Sequence, residues 1–179
     1  SDQLVQIVRL NIESTLDTTH NLLQLRDTEQ LFRVINVSSM ASFYPMPFKA
    51  TYAASKRFLV DLSRALHEEI REFGSVTVLC PAGMPTTTET MRAIFSQGFW
   101  GKVTAMNPDE VAHLTMRKAL RGRRMVVPGW VNQFIVSLSS LVPSRMKMRA
   151  VEKRWEISRS HPMRKDPCQL ALNKPLTSD

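Results

Sequence analysis

Residues 32–79 have the sequence FRVINVSSMASFYPMPFKATYAASKRFLVDLSRALHEEIREFGSVTVL, and its patterns indicate how the chain folds. Its first six residues and its last five are rich in apolar and β-branched side chains, which is typical of buried strands. Between them, residues 52–73 repeat apolar side chains at helical spacing and predict a long amphipathic helix, with Gly74 placed to end it. A strand, a helix and a second strand in this order predict an α/β fold with a parallel sheet.

The rest of the chain continues this alternation. The patterns predict helices over 4–25, around 89–95, over 107–120, over 130–142 and over 144–159, and a third strand over 125–127. We therefore predict a doubly wound, Rossmann-like parallel sheet that is incomplete on its N-terminal side, because three strands alone would leave apolar faces uncovered. The chain opens on Ser1 and not on Met, so we also expect it to be a fragment of a longer protein.

Composition excludes several classes of protein. With 179 residues and 43% apolar side chains, the chain can bury the core of one domain and is not globally disordered. Two cysteines, Cys80 and Cys168, exclude a disulfide scaffold and a Cys-rich zinc module, and four scattered histidines predict no metal site. The sequence has neither a signal-peptide pattern nor an uncharged apolar run of transmembrane length.

Two side chains at the start of the long helix could carry chemistry. Tyr52 and Lys56 are four residues apart and therefore lie on one helix face. An ammonium group beside a phenol stabilises the phenolate, so the pair could exchange a proton with a substrate oxygen. Thirteen residues earlier, Ser39 follows a predicted strand, at the sheet edge where α/β proteins bind ligands. Taken singly, such a Tyr–Lys pair is common on helix surfaces, and a serine at a strand end usually satisfies backbone groups.

Together these residues resemble the active-site segment of the short-chain dehydrogenase/reductase family. The resemblance lies in VINVSS at 34–39, Pro45 and YAASK at 52–56, with the family's spacings of 13 and 4 residues. Asn11, 28 residues before Ser39, lies about where the family has a helix asparagine. LCPAGMPT at 79–86 is similar to the family's P-G-x-x-x-T segment, with Ala82 in place of the first glycine, and 107–112 and 127–129 are also similar.

The resemblance implies a role for each matching residue. Tyr52 would be the general acid/base, Lys56 would assist Tyr52 and bind the nicotinamide ribose, and Ser39 would orient the substrate oxygen. Asn11 would anchor a water in a proton relay. The cofactor, NAD or NADP, would contact Tyr52 and Lys56 and also the segment carrying Pro81, Gly83 and Thr86. The reaction would be hydride transfer between this cofactor and a carbonyl/alcohol substrate.

A loop over residues 87–106 would form the substrate lid. Its three aromatic residues, Phe95, Phe99 and Trp100, favour an apolar substrate, although aromatic side chains on lids often serve packing instead.

One family element is absent from the sequence. None of the six glycines forms the Gly-rich turn, G-x-x-x-G-x-G, that cradles the cofactor pyrophosphate. We expect residues 1–129 to be the C-terminal part of a short-chain dehydrogenase/reductase domain, 130–160 a helical extension and 161–179 a loose tail. The segment alone is expected to be inactive, and a non-catalytic remnant or interaction module that binds no dinucleotide is the alternative function.

Charge and apolar patterning suggest partners. Residues 111–165 hold 13 basic and 2 acidic residues, whereas the remainder carries a net charge of −3. Because residues 130–159 are first apolar and then basic, they could lie peripherally on an anionic membrane surface or instead pack over the substrate cleft or a subunit interface. Helices 4–25 and 52–73 are expected to pair in a homo-oligomer, as the resemblance implies. Nucleic-acid binding is not predicted, and the location is expected to be cytoplasmic or peripheral at a membrane.

Overall fold

The computed structural model of the protein describes residues 2–95, 103–143, 145, 146, 148 and 149. Its sheet has three parallel strands in the order β1-β2-β3, namely β1 (Phe32–Val37), β2 (Gly74–Leu79) and β3 (Met125–Val126). Phe32 lies opposite Gly74 and Val37 opposite Leu79, so β1 and β2 end together at the same edge. The carboxyl ends of the strands therefore converge on one edge of the sheet.

Helices connect and cover the strands. They are α1 (Asp2–Val8), α2 (Ser14–Gln24), α3 (Ala50–Glu69), α4 (Thr88–Phe95), α5 (Pro108–Leu120) and α6 (Trp130–Leu141). A π-helical turn, Arg9–Glu13, joins α1 to α2, and a 3-10 turn, Met40–Phe43, follows β1. No helix within the described part of the chain is long and apolar enough to cross a membrane.

The two faces of the sheet are covered by different helices. Val60 of α3 packs with Val78 and Cys80, which lie on one face of β2 and its extension. Val111 of α5 packs with Leu79 on the opposite face, because successive side chains of a strand alternate between faces. The doubly wound α/β fold predicted from the sequence is thus confirmed.

Most predicted elements occur within two residues of their expected bounds, but the end of the long helix does not. The α3 helix begins at Ala50 and ends at Glu69, so the prediction that Gly74 ends it is wrong. Gly74 is instead the first residue of β2, where an added Cβ would collide with the backbone carbonyl oxygen of Phe32. The glycine is needed for close strand pairing and not for a helix cap.

Several predictions fall outside the described residues. This group contains the lid aromatics Phe99 and Trp100, the tail at 161–179, and the basic helix at 144–159 except for residues 145, 146, 148 and 149. The domain boundaries proposed from the sequence remain predictions.

Candidate active site

The loops after β1 and β2 are joined at the carboxyl edge of the sheet. The backbone amide of Ser38 donates to the carbonyl of Leu79 at 2.7 Å, and the amide of Met40 donates to the carbonyl of Pro81 at 2.9 Å. The parallel hydrogen bonding of the strands therefore continues into both loops. This edge is where ligands of open α/β sheets bind.

Ser39 lies at the start of the 3-10 turn with its hydroxyl fixed in place. Its Oγ accepts a hydrogen bond from the amide of Ala41 at 3.1 Å, and its carbonyl accepts from both the amide and the hydroxyl of Ser42. A hydroxyl has one proton to donate besides its acceptor sites. The half-buried Ser39 hydroxyl can therefore donate to a substrate oxygen while the turn holds it.

Tyr52 and Lys56 lie on the first turns of α3, with Lys56 Nζ 5.9 Å from the centroid of the Tyr52 ring. The ammonium group donates to the carbonyl of Val37, the last residue of β1, at 3.1 Å. In return, Ser38 Oγ donates to the carbonyl of Lys56 at 2.7 Å. These reciprocal bonds tie the turn that carries Tyr52 and Lys56 to the strand end that carries Ser39.

Burial affects the charge of Lys56. Partial desolvation of the ammonium group lowers the pKa of Lys56 from its ordinary value. Lys56 therefore loses its proton at a lower pH than a lysine in water. The bond to the Val37 carbonyl keeps the amino group directed at the strand end.

Asn11 reaches the same helix turn from the other side. Its Nδ2 donates to Ser55 Oγ at 3.1 Å, and Ser55 Oγ donates to the carbonyl of Tyr52 at 2.9 Å. Asn11 lies in the π-helical turn Arg9–Glu13, and π turns inside α-helices occur frequently at functional sites. The structure thus joins Asn11 to the Tyr52 turn through one buried hydroxyl.

The segment after β2 holds the other predicted cofactor residues. Pro81 is buried and its carbonyl is bonded to Met40, whereas Gly83 and Thr86 are exposed. An added Cβ at Gly83 would lie 3.1 Å from a side-chain carbon of Ile94, so the absence of a side chain lets α4 approach. Thr86 lies two residues before the start of α4, with its Oγ1 3.5 Å from Thr90 Oγ1.

Two positioning residues were not predicted from the sequence. Ser38 and Ser55 are buried, and each donates its hydroxyl proton to a backbone carbonyl of the α3 turn. A serine three residues after Tyr52 is a signal for the Ser55 bond, because serine in a helix commonly bonds a carbonyl one turn back. No comparable local signal predicts the Ser38 bond, since it joins residues 18 apart in the chain.

The one thiol that the described residues place at this edge is not activated. Cys80 is fully buried, and burial raises its pKa to about 11 even though hydrogen bonds with Ser42 and Ser38 act in the opposite direction. A nucleophilic cysteine needs a lowered pKa. Cys80 is therefore a packing residue beneath the candidate site. The described residues also contain no group of three His, Cys, Asp or Glu side chains that could hold a metal ion.

Comparison with known protein families shows which family the chain belongs to. The model of the short chain dehydrogenase family matches residues 1–97, which include Asn11, Ser39, Tyr52 and Lys56. The chain belongs to the short-chain dehydrogenase family. The match covers the described fold from α1 to α4.

Named relatives of this short-chain dehydrogenase match over short stretches. A very-long-chain 3-oxoacyl-CoA reductase of Laccaria bicolor is 37% identical over 71 residues, which are 40% of this chain and 21% of the relative. Human 17-beta-hydroxysteroid dehydrogenase type 3 is 31% identical over 70 residues, 39% of this chain and 23% of the relative. The matched segments thus span under a quarter of these two proteins.

Solved structures share the fold. One, from a study of 7beta-hydroxysteroid dehydrogenase stereoselectivity, has a TM-score of 0.67 at 20% identity and covers 81% of this chain and 57% of its own. The 3-ketoacyl-(acyl-carrier-protein) reductase of Brucella melitensis, solved with NADH, has a TM-score of 0.56 at 21% identity and covers 72% and 58%. At these identities the likeness establishes the fold alone.

Proposed function

We propose that this chain carries the catalytic part of an NAD- or NADP-dependent oxidoreductase that interconverts a carbonyl and an alcohol on an apolar substrate. The observation that carries the proposal is the hydrogen-bonded unit at the carboxyl edge of the sheet. In that unit, bonds from Asn11 and Ser38 hold the α3 turn of Tyr52 and Lys56 beside the strand end that carries Ser39.

The chemistry follows from what each side chain can donate. In the reducing direction, the Tyr52 hydroxyl transfers its proton to the carbonyl oxygen as that oxygen becomes an alcohol, and in oxidation it takes the proton back. The Ser39 hydroxyl donates a hydrogen bond to the same oxygen, which polarises the carbonyl. Lys56 stabilises the phenolate that forms when Tyr52 has given up its proton.

The residues present fit the nicotinamide end of such a cofactor. The Lys56 ammonium has three N–H donors, and its bond to Val37 uses one, so two can meet ribose hydroxyls. Tyr52, Pro81, Gly83 and Thr86 would surround the ring along the same sheet edge. When bound, the cofactor would supply or accept the hydride. The sequence offers no Gly-rich turn to the pyrophosphate end.

An apolar substrate is supported by two observations. Very-long-chain 3-oxoacyl-CoA and 17-beta-hydroxysteroids, named for two relatives, each place an oxygen function on a large hydrocarbon body. The helix bordering the candidate site, α6, is itself largely apolar. We therefore place the substrate among lipid-like ketones and alcohols.

The test is Tyr52→Phe in the protein as its gene encodes it, assayed for NADH- and NADPH-dependent reduction of a 3-oxoacyl thioester and of a 17-ketosteroid. Loss of the phenolic proton is expected to lower turnover by about 10²–10⁴-fold. Cofactor affinity and the melting temperature should stay close to those of the parent. Turnover within a few-fold of the parent at saturating cofactor would reject Tyr52 as the acid/base.

A further inference from the structure

The outer face of α6 is apolar and uncovered among the described residues. Trp130, Phe134 and Leu138 are 81%, 64% and 49% exposed and recur at every fourth position, so they form one stripe. The exposed residues between them, Gln133 and Ser137, carry no charge. We call the three apolar residues Trp130, Phe134 and Leu138 the α6 stripe.

The α3 helix, in contrast, presents charged side chains to solvent. On α3, the exposed Arg57 and Asp61 form an ion pair at 2.8 Å, and Glu68 pairs with Arg124 at 2.9 Å. A solvent-facing helix surface is normally charged or polar, whereas a contiguous exposed apolar patch marks an interaction site. The α6 stripe has the character of an interaction surface.

Charge around the stripe identifies the kind of partner. Residues 111–165 hold 13 Lys or Arg residues and two acidic residues, Glu152 and Glu156. Two of the arginines, Arg145 and Arg149, are exposed just beyond the C-terminal end of α6, next to the exposed Met146 and Met148. An apolar stripe followed by a segment in which basic residues outnumber acidic ones complements an anionic lipid surface. Tryptophan, apolar with one polar N–H, is suited to the lipid–water boundary.

The geometry allows α6 to lie on a bilayer but not to cross it. Its 12 residues extend about 18 Å at 1.5 Å per residue. This is short of the roughly 30 Å of a hydrocarbon core. We propose that α6 is an interfacial helix whose stripe enters the surface of an anionic bilayer while Arg145 and Arg149 meet lipid phosphates.

The placement of α6 connects this surface to the candidate active site. The helix packs against the 3-10 turn Met40–Phe43, directly after Ser39. At its N-terminal end, the buried Asn132 donates from Nδ2 to the carbonyls of Thr104 and Pro128, at 3.2 and 2.9 Å. These contacts fix α6 to the end of the predicted substrate loop. If the proposed function holds, docking of the stripe brings the site to a bilayer in which apolar substrates are dissolved.

Vesicle co-sedimentation of the full chain tests the docking. Phosphatidylcholine vesicles with phosphatidylglycerol should bind the protein, vesicles of phosphatidylcholine alone should bind it weakly, and added salt should weaken binding. Trp130→Ser with Phe134→Ser should reduce binding by roughly tenfold or more. Met116→Ser with Leu120→Ser, two exposed apolar residues of α5, is the matched control and should leave binding unchanged.

A second pair of variants tests the charge. Arg145→Glu with Arg149→Glu should weaken binding to the anionic vesicles. The control, Arg64→Glu with Arg71→Glu on and after α3, makes the same charge change at exposed positions and should have a smaller effect.

Fluorescence locates the helix. With Trp100→Phe and Trp155→Phe, Trp130 is the remaining tryptophan. Its emission should shift to the blue on anionic vesicles and be quenched by brominated acyl chains.

Unshifted Trp130 emission would overturn the proposal, and so would salt-independent binding that is as strong to neutral vesicles as to anionic ones. So would an oligomer that the Trp130/Phe134 variant dissociates without affecting vesicle binding, because a second copy would then cover the stripe. Tyr52→Phe should bind vesicles normally, which separates this result from the proposed function.

Discussion

At the scale of single residues, buried hydroxyl groups hold the candidate site together. Ser55 joins Asn11 to the Tyr52 backbone, and Ser38 joins the strand end to the Lys56 backbone. Both hydroxyls are buried, so losing one leaves polar groups without a partner in a region that water does not reach easily. The motif residues themselves are half-buried and depend on these bonds for their position.

Ser55→Ala should therefore affect turnover as well as stability. The change removes the acceptor of Asn11 and the donor to Tyr52, and we expect a loss of about 1–3 kcal/mol in the free energy of unfolding. Ser63→Ala is the matched control, because Ser63 is equally buried on α3 but bonds Asn36 at 2.9 Å, away from Tyr52. Urea denaturation should show similar losses, whereas turnover measured below each melting temperature should fall for Ser55→Ala only. Equal turnover in the two variants would show that Ser55 has no positioning role.

Cys80 predicts a pH dependence of stability. Its pKa is about 11 in the folded protein against an ordinary 9.0, so between these pH values the folded state keeps a proton that the unfolded state releases. The contribution of the thiol to stability is thus fully present below pH 9 and is lost as pH rises toward 11. Denaturation of the parent and of Cys80→Ala from pH 8 to 11 should show a shallower decline in the variant. Parallel declines would mean that the thiol does not titrate as its burial indicates.

At the scale of elements, α3 is tied to the sheet along its length. Lys56 bonds Val37, the last residue of β1, and Ser63 accepts a bond from Asn36, the residue before it. Further along α3, His67 Nδ1 is 2.8 Å from the carbonyl of Val76 in β2. The helix therefore cannot slide or rotate without breaking several partly buried bonds. This is how the first turn of α3 keeps Tyr52 at the carboxyl edge.

Gly74→Ala tests the close pairing at the start of β2. The added Cβ would meet the backbone carbonyl of Phe32, which cannot move without disturbing the first pair of the β1–β2 ladder. We expect a loss of more than about 2 kcal/mol in the free energy of unfolding. Gly122→Ala is the control: it has open space around the Cβ, and its φ of +67° predicts only the smaller loss of about 1 kcal/mol from left-handed backbone. Equal midpoints in urea would refute the steric explanation for Gly74.

At the scale of the whole molecule, the order of elements was predictable and the connections between them were not. The strand and helix patterns of residues 32–79 predict the parallel crossover because periodicity is a local property of sequence. The bonds from Asn11 to Ser55 and from Ser38 to Lys56 join residues far apart in the chain, so no local sequence pattern predicts them. The prediction that Gly74 ends α3 was wrong for the same reason, because a glycine is required there by the backbone of the neighbouring strand β1.

Exposed apolar residues on the N-terminal helices keep the oligomer prediction open. Leu10, Leu22 and Leu25 are 70%, 46% and 81% exposed on or next to helices that the family resemblance pairs between subunits. The pairing of residues 4–25 and 52–73 remains a proposal.

The 179-residue chain taken alone is expected to bind NADH and NADPH too weakly for turnover. The pyrophosphate of a dinucleotide is held in this type of fold by backbone amides of a Gly-rich turn at a helix N-terminus, and the sequence has no such turn. Lys56 and Tyr52 can meet only the nicotinamide end. In addition, β1 pairs on one side only within the described sheet, and Leu31 and Val37 beside its ends are 63% and 51% exposed. Unpaired strand edges and exposed apolar side chains reduce a stability that is only about 5–15 kcal/mol in typical domains.

Calorimetric titration of the 179-residue chain with both cofactors, beside a thermal melt, should show no micromolar binding. The Brucella melitensis reductase that was solved with NADH is the positive control. Micromolar binding together with a cooperative melt would contradict this expectation, and it would mean that other residues of this chain hold the pyrophosphate.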